Sequence, residues 1–161
     1  MSSFIFLLLK PLNMPPKIIP GVHIFFQRFN VELQENEYLL HKREHTGYMD
    51  NQYSVPGGHI EGHENPIDRV LREAKEEVNV EALDPKFVIL IYRIKEKDNE
   101  VRIDLGCLVS KWNGEFKAGE PSKHSEPKWY ALSKFPNNMV PYIRQAIMEY
   151  ESGLNFTVAF S

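Results

Sequence analysis

The sequence has few of the features that mark specialised classes of protein. It contains one cysteine, Cys107, which excludes an intramolecular disulfide and favours a buried, unreactive thiol in a reducing cytoplasm. The net charge of -3 and the pI near 6.1 leave no basic excess for binding DNA or RNA polymers. Repeats, low-complexity tracts and linker-like segments are also missing from the sequence, which argues against a second domain.

Long apolar segments are missing too. The N-terminal run FIFLLL, residues 4–9, has no basic segment before it and is too short to cross a bilayer, so we predict neither a signal peptide nor membrane contact. The run either packs as an extra strand, is disordered, or reflects an upstream start, since Met14 precedes the regularly patterned part. We therefore expect an N-terminal extension over residues 1–16 and one folded domain over residues 17–161.

Apolar runs bounded by turn residues predict a mixed sheet. The two longest strands, over 86–96 and 101–112, are joined by a turn-like segment that contains Lys97, Asp98 and Asn99. Shorter strands are predicted over residues 21–28, 37–42, 53–55 and 155–160. A helix is predicted over 140–151, where apolar residues share one face and Gly153 ends the helix.

Another helix is predicted to begin at Pro66. Asn65 is a favourable N-cap, Pro66 suits the first helical position, and Asp68 lies in the first turn. Five apolar residues then recur at helical spacing and are expected to pack on the core: Ile67, Val70, Leu71, Ala74 and Val78.

Three glutamates, Glu73, Glu76 and Glu77, occupy the neighbouring arc of this helix. Like charges at this spacing repel each other, and more strongly where water is excluded. A hard divalent cation offsets the repulsion, and Mg²⁺ in particular binds few protein oxygens together with substrate phosphates. The alternative is a solvated helix face held by ion pairs at i, i+4, namely Asp68/Arg72, Arg69/Glu73 and Arg72/Glu76.

The spacing of the whole segment favours the first alternative. Residues 58–80 read GHIEGHENPIDRVLREAKEEVNV, with glycine, five residues, glutamate, seven residues, and then REAKEEVNV. This pattern resembles the Nudix box, in which a glycine stands where this chain has Asn79. That position is expected just beyond the helix, where a left-handed residue is needed and Asn is the most tolerant choice after Gly.

The resemblance implies an α/β fold, an α/β/α sandwich with a mixed central sheet, and a hydrolase of nucleoside diphosphates linked to another group. It also implies Mg²⁺ or Mn²⁺ as cofactor. By position, Glu73 and Glu77 would be the principal metal ligands, Glu76 a further ligand or water contact, and the Gly57 carbonyl would complete the sphere. Arg72 would hold a box carboxylate in place, and the structural box positions would be Gly58, Glu64 and Asn79.

The general base stays open among these glutamates and the later loop GEPSKHSEPKW. In that loop Glu120 and Glu126 are either candidates for the base or exposed loop charges. We therefore name Glu73, Glu76 and Arg72 as the catalytic set implied by the resemblance.

Substrate contacts are predicted at Arg43, His59 and Glu126. Arg43 follows the apparent strand EYLLHK and either contacts phosphate or only solubilises the strand end. His59 lies in GGHIEGHE, which resembles a box variant of the MutT-like group, and either contacts phosphate or caps the turn. A nucleobase slot needs aromatic residues, of which Trp129 is expected in the core. The others available are Phe25, Phe26, Tyr48 and Tyr92.

Substrate class is also suggested by two missing signatures. Hydrolases of ADP-ribose in this family often carry a proline downstream of the box, and those of diadenosine polyphosphates a tyrosine, where this chain has Lys95, Glu96 and Lys97. We therefore predict cleavage of a nucleoside triphosphate to monophosphate and pyrophosphate. The alternatives are hydrolysis of ADP-ribose or a nucleoside diphosphate sugar, and a nucleotide sensor without turnover. The expected partner is a small nucleotide rather than a nucleic-acid polymer or a membrane, and a homodimer is left open.

Overall fold

The computed structural model describes residues 15–95 and 99–160. The expectations for residues 4–9 and Met14, and for Lys97 and Asp98 in the hairpin turn, lie outside the described residues. None of the helices in the described ranges is long and apolar enough to span a membrane.

The strands in the described part of the chain are β1 (Lys17–Asn30), β2 (Glu35–Lys42), β3 (Tyr53–Ser54), β4 (Gly57–His59), β5 (Glu81–Leu83), β6 (Lys86–Lys95), β7 (Glu100–Val109), β8 (Lys111–Asn113), β9 (Lys128–Ala131) and β10 (Phe156–Phe160). The α-helices are α1 (Pro66–Val78) and α2 (Pro141–Glu151), and a short 3-10 helix spans Leu132–Lys134. Each strand and helix predicted from the sequence is present with small differences in its ends, except that the strand predicted over 101–112 is divided into β7 and β8.

Eight of these strands form one sheet in the order β10-β6-β7-β1-β2-β3, with β4 paired to β1 and β9 paired to β2, and β5 and β8 form a separate two-stranded sheet. β1 is parallel to β7 and β10 is parallel to β6, whereas the other pairs are antiparallel. The predicted mixed sheet is therefore confirmed. β1 begins earlier than its apolar run predicts, because pairing with β7 extends it to Lys17.

The two α-helices cover opposite faces of this sheet. One buried cluster joins α1 to the first face through Val22, Ile24, Phe26, Leu39, Val70, Ala74 and Val78. The other joins α2 to the second face through Phe25, Tyr38, Leu40, Ile91, Ile143, Ala146 and Ile147. The predicted α/β/α sandwich is confirmed, and Cys107 is buried in the first cluster as expected.

The ends of α1 follow the predicted capping residues. The side chain of Asn65 accepts a hydrogen bond of 2.9 Å from the backbone N–H of Ile67, and Pro66 occupies the first turn. Asn79 has a left-handed backbone with φ of 61°, which explains how it replaces glycine at this position. The departure from the box pattern therefore leaves the helix end intact.

The buried face of α1 differs from the predicted one. Val70, Ala74 and Val78 are fully buried, but Leu71 is 38% exposed. Arg69, Glu73 and Glu77 are buried in its place. The helix is therefore turned so that its charged arc, rather than Leu71, faces the interior, because a polar cleft lies beside it.

The cleft arises where β1 and β2 diverge. β1 pairs with β2 over Gln27–Asn30 only, whereas nearer its start, over Gly21–His23, it pairs with β4. The glycine turn, which is formed by Gly57 and Gly58 in β4, therefore crosses the opening, with α1 directly behind it. A Cβ atom on Gly58 would meet the Glu73 carboxylate and the Arg69 guanidinium, so glycine lets these two side chains lie directly against the backbone.

Candidate active site

A cleft of about 610 Å³ lies between the glycine turn, α1, the loop before β9 and the start of α2. Its lining is rich in charged side chains of both signs. The acidic members are Glu61, Glu73, Glu76, Glu77, Asp104 and Glu120, and the basic members are Arg43, Arg69, Arg72, Arg93, Arg102 and Lys123. A ligand that carries both phosphates and cations suits such a surface.

Glu73 and Glu77 face the cleft from the buried side of α1. They are 5% and 8% exposed. Burial, and then the charge of Glu76, raise the pKa of Glu73 to about 7. Burial, and then the charge of Glu73, raise the pKa of Glu77 to about 8, although Glu77 accepts a 3.0 Å hydrogen bond from the Gly57 N–H. Two neighbouring buried carboxyls that resist ionisation are suited to sharing a cation.

Glu76 is half exposed and lies on the solvent side of the same helix. Its Oε2 accepts a 3.2 Å hydrogen bond from Arg72 Nη1. Arg72 also makes a two-point contact with Glu64, at 2.9 Å and 3.0 Å. This arrangement lowers the pKa of Glu64 through the hydrogen bond from Arg72. Arg72 therefore lies between two box carboxylates, Glu64 and Glu76.

Arg69 is the partner of Glu73 within the chain. Its guanidinium forms an ion pair with the Glu73 carboxylate and is 6% exposed. A buried guanidinium needs such a partner, because an unpaired buried charge is strongly destabilising. Two of the i, i+4 pairs considered as an alternative from the sequence, Arg69/Glu73 and Arg72/Glu76, are thus present, and neither involves Glu77.

The two glutamates of the loop before β9 are placed differently. Glu120 lines the cleft and accepts a 2.7 Å hydrogen bond from Lys123. Glu126 is exposed, lies outside the residues that line the cleft, and accepts a 3.0 Å hydrogen bond from the Ala118 N–H. The structure brings Glu120, rather than Glu126, to the other candidate residues.

Arg43 and His59 both line the cleft. Arg43 donates hydrogen bonds to the Tyr48 carbonyl at 2.9 Å and to the Thr46 hydroxyl at 3.0 Å. His59 contacts the guanidinium of Arg102, and burial lowers its pKa. Both residues are therefore within the same cleft as the glutamates.

The sequence did not reveal the far end of the cleft, on the α2 side of the sheet. Arg93 is buried and donates a 2.6 Å hydrogen bond to Asp104, while its guanidinium lies 3.9 Å from the Tyr142 ring centre. His23 Nε2 is 3.6 Å from Asp104. Burial acts to raise the pKa of Asp104, but His23 and Arg93 lower it to about 2. Neither strand carries a motif for these residues, so only the fold brings them together.

Two buried histidines flank Glu77 and were also missed. His41 lies on β2 and His124 in the loop before β9, and their rings stack at 4.1 Å with an angle of 2° between them. Burial lowers the pKa of His41, and burial followed by the charge of Arg43 lowers that of His124 to about 4. Both rings are therefore neutral at neutral pH and present nitrogen lone pairs.

The candidate aromatic residues do not converge. Tyr48 lines the cleft, but Phe25 and Phe26 are fully buried in the core. Trp129 packs with Trp112 and Phe116 on the α1 face, in agreement with its expected core role. The second aromatic residue of the cleft is Tyr142, which the sequence did not single out.

The residues around the glycine turn fit a divalent cation. Glu73 and Glu77 supply buried carboxylate oxygens, and glycine lets the backbone approach them without a side chain. The Glu77 carboxylate also lies close to both histidines, so that His41, Glu77 and His124 form a three-residue group with metal-binding spacing. The donor set therefore includes oxygen and nitrogen ligands.

Comparison with known proteins agrees with this geometry. A family model described as the NUDIX domain matches residues 21–150. Over 113 residues the chain is 32% identical to the 8-oxo-dGTP diphosphatase of Escherichia coli (strain K12), which covers 68% of this chain and 85% of that protein.

Solved structures show the same fold at lower identity. The MutT NUDIX hydrolase from Burkholderia pseudomallei has a TM-score of 0.72 at 22% identity, covering 82% of this chain and 97% of that one. The NUDIX domain of Shewanella oneidensis NrtR, solved with ADP ribose, has a TM-score of 0.66 at 17% identity, covering 89% and 92%. Together with the family match over most of the chain, these findings show that the chain belongs to the Nudix family and is a hydrolase of the MutT-like type.

Proposed function

We propose that this hydrolase cleaves a nucleoside triphosphate to a nucleoside monophosphate and pyrophosphate with the help of Mg²⁺ or Mn²⁺. The observation that carries the proposal is the pair of buried carboxyls, Glu73 and Glu77, at one side of a cleft that also holds several basic side chains. The name of the 32% identical relative, an 8-oxo-dGTP diphosphatase, supports a triphosphate as the substrate.

The cation site would consist of Glu73, Glu77 and the backbone carbonyl of Gly57, with Glu76 at its outer edge. A bound divalent cation would neutralise phosphate charge and make an attacking water more acidic. Arg69, which forms an ion pair with Glu73, would keep that carboxylate in place beside the glycine turn.

Basic side chains of the cleft would hold the phosphates. Arg43 is already fixed by two hydrogen bonds, so little side-chain entropy is lost when its guanidinium binds an anion. Lys123, in the loop before β9, also lines the cleft, as do His59 and Arg102. Glu126 lies outside the cleft lining and would therefore not contact the substrate.

We assign the general base to Glu76. Glu73 and Glu77 would be occupied as ligands, whereas Glu76 lies half exposed in the cleft lining, where it accepts a hydrogen bond from Arg72. Its carboxylate would take the proton of the attacking water, and Arg72 would orient it. Arg72 is thus a positioning residue for both Glu64 and Glu76.

Substitution of Glu77 by Gln tests the proposal. The variant keeps the size of the side chain but removes the charge of a direct ligand, so we expect kcat to fall by at least about 100-fold. The matched control is Glu115→Gln, because Glu115 is exposed and lies outside the cleft lining. A fall in kcat of less than tenfold for Glu77→Gln, with metal dependence kept, would contradict the assignment.

A further inference from the structure

His41 and His124 are buried polar residues that the proposed reaction does not use. They are 1% and 4% exposed. Both ring nitrogens of His41 and the Nδ1 of His124 lack a hydrogen-bond partner within the described residues. A buried polar atom without a partner costs about 1–3 kcal/mol, so we expect a bound species to occupy the space between these rings and Glu77.

The Glu77 carboxylate faces both rings. Its Oε2 is 4.0 Å from His41 Nε2, and its Oε1 is 3.7 Å from His124 Nε2. One ligand atom from each of the three residues lies within 4.8 Å of the others. Two ligand atoms of a tetrahedrally bound ion with bonds of about 2.0–2.2 Å lie about 3.3–3.6 Å apart, so movements of up to roughly 1.5 Å, shared among the three side chains, would bring all three into range.

We propose that His41, His124 and Glu77 form a binding position for a first-row transition-metal ion of the Mn²⁺, Co²⁺ or Zn²⁺ class. The proposal rests on the proposed function in one respect, because Glu77 is a ligand both here and in the cation site proposed with Glu73. Two neutral imidazoles and one carboxylate suit transition metals, whereas Mg²⁺ prefers oxygen ligands and retains several waters. The nitrogen ligands would therefore make this position selective against Mg²⁺.

The arrangement of the three residues leaves one side of the ion open. His124 and Glu77 line the cleft, whereas His41 lies behind them and is not part of its lining. Water or a phosphate oxygen from the cleft would complete the coordination, as in metal sites with three protein ligands and an open position. The ion would thus lie where the substrate phosphates are expected.

The stacked rings must change on binding. The nitrogen lone pairs of the stacked rings lie in two separate, parallel planes, so at least one ring has to turn about its Cβ–Cγ bond before both nitrogens point at one ion. Binding should therefore break the stack between His41 and His124, which gives a signature that a structural pair of histidines would not show.

The test is a titration of the metal-free full chain with Co²⁺ alone, followed by visible absorption. Nitrogen ligation should give visible bands in the unmutated chain, and His41→Gln and His124→Gln should each weaken Co²⁺ binding by at least about tenfold. The matched control is His63→Gln, because His63 is exposed and outside the cleft lining. Mg²⁺ affinity should change by less than about twofold in all three variants.

A second measurement uses the unmutated chain and does not depend on how the variants fold. Addition of Zn²⁺ should shift the ¹⁵N signals of two buried imidazoles and leave those of the exposed histidines in place. Unchanged imidazole signals at saturating Zn²⁺, or equal Co²⁺ affinity in the four proteins, would overturn the proposal.

The two proposals fail separately. If the chain hydrolyses nucleotides with Mg²⁺ but Co²⁺ affinity is unchanged in His41→Gln and His124→Gln, the proposed site at His41, His124 and Glu77 is wrong and the proposed function stands. If Co²⁺ bands require His41 and His124 but no nucleotide is hydrolysed with any metal, the nitrogen site is supported and the proposed function is wrong.

Discussion

At the scale of single residues, the Arg93–Asp104 pair at the far end of the cleft is a buried ion pair whose loss should lower stability. Both side chains are 2% exposed, and their hydrogen bond is 2.6 Å long. Arg93→Ala would leave the Asp104 carboxylate buried without its guanidinium partner. We expect the free energy of unfolding to fall by about 3 kcal/mol, measured by urea denaturation.

A surface pair gives the control for this prediction. Lys117 faces Glu115 at 3.9 Å, and both side chains are largely exposed, so Lys117→Ala should change stability by less than about 0.5 kcal/mol. Adding Asp104→Asn to Arg93→Ala should recover part of the loss, because it removes the unpaired charge. Equal small effects of Arg93→Ala and Lys117→Ala would show that the pair is not effectively buried.

The sequence predicted the site residues that share one helix but not those that come from distant segments of the chain. Glu73, Glu77 and Arg72 share one helix, so their relative positions follow from helical spacing, and the family pattern singles them out. His41 and His124 come from segments far apart in the chain, and only the pairing of β2 with the loop before β9 brings them to Glu77. Linear spacing carries no signal for such a meeting.

At the scale of elements, the C-terminal end of α1 carries the one departure from the box pattern, Asn79 in place of glycine. Asn79 has φ of 61°, a conformation in which a Cβ atom is unfavourable. Asn79→Ala should therefore destabilise the protein by about 1 kcal/mol, whereas Asn79→Gly should be neutral or stabilising. Thermal unfolding of the two variants is the measurement, and a lower stability of Asn79→Gly than of Asn79→Ala would contradict the assignment.

Element positions were more predictable from sequence than the orientation of α1. Turn residues and apolar runs mark the strand ends, and Asn65 and Pro66 mark the start of α1. The predicted buried face included Leu71, which is exposed, and not Arg69, which is buried. Hydrophobicity alone could not predict this rotation, because the charged arc is buried against a polar cleft and Arg69 is neutralised by Glu73.

At the scale of the whole molecule, the buried carboxyls predict an unusual pH dependence of the metal-free protein. The ion pair with Arg69 opposes the rise in the pKa of Glu73, whereas Glu77 makes no arginine ion pair among the described residues. The Glu77 pKa of about 8 exceeds the ordinary 4.5, so the folded state holds a proton that the unfolded state has lost. Stability therefore falls as pH rises through this window. Below the ordinary histidine value of 6.5, the lowered pKa values of His41 and His124 act in the opposite direction.

The net fall should appear between pH 6.5 and about 8, where the histidines no longer contribute. The slope should approach about 1.4 kcal/mol per pH unit for each buried carboxyl that stays protonated in the folded state and is ionised in the unfolded state. Thermal unfolding in a chelator across this range is the measurement, and saturating Mg²⁺ or Mn²⁺ should reduce the slope, because a cation replaces the protons. A metal-free protein whose stability rises across the window would contradict the placement of these carboxyls.

The architecture also leaves apolar surface at one edge of the sheet. On β10, Phe156, Val158 and Phe160 are 51%, 40% and 69% exposed. This surface is compatible with the homodimer considered from the sequence, which stays a prediction. The N-terminal extension and the location of the protein in the cell also stay predictions.

The central claim, metal-dependent cleavage of a triphosphate, is tested most directly by product analysis. The full chain would be incubated with Mg²⁺ or Mn²⁺ and a panel of nucleoside triphosphates, ADP-ribose and nucleoside diphosphate sugars, with chelator as the control. We predict release of pyrophosphate and a nucleoside monophosphate from a triphosphate, only with metal present. Two monophosphate products from ADP-ribose or a nucleotide sugar, with triphosphates untouched, or tight binding of every nucleotide without turnover, would contradict the account.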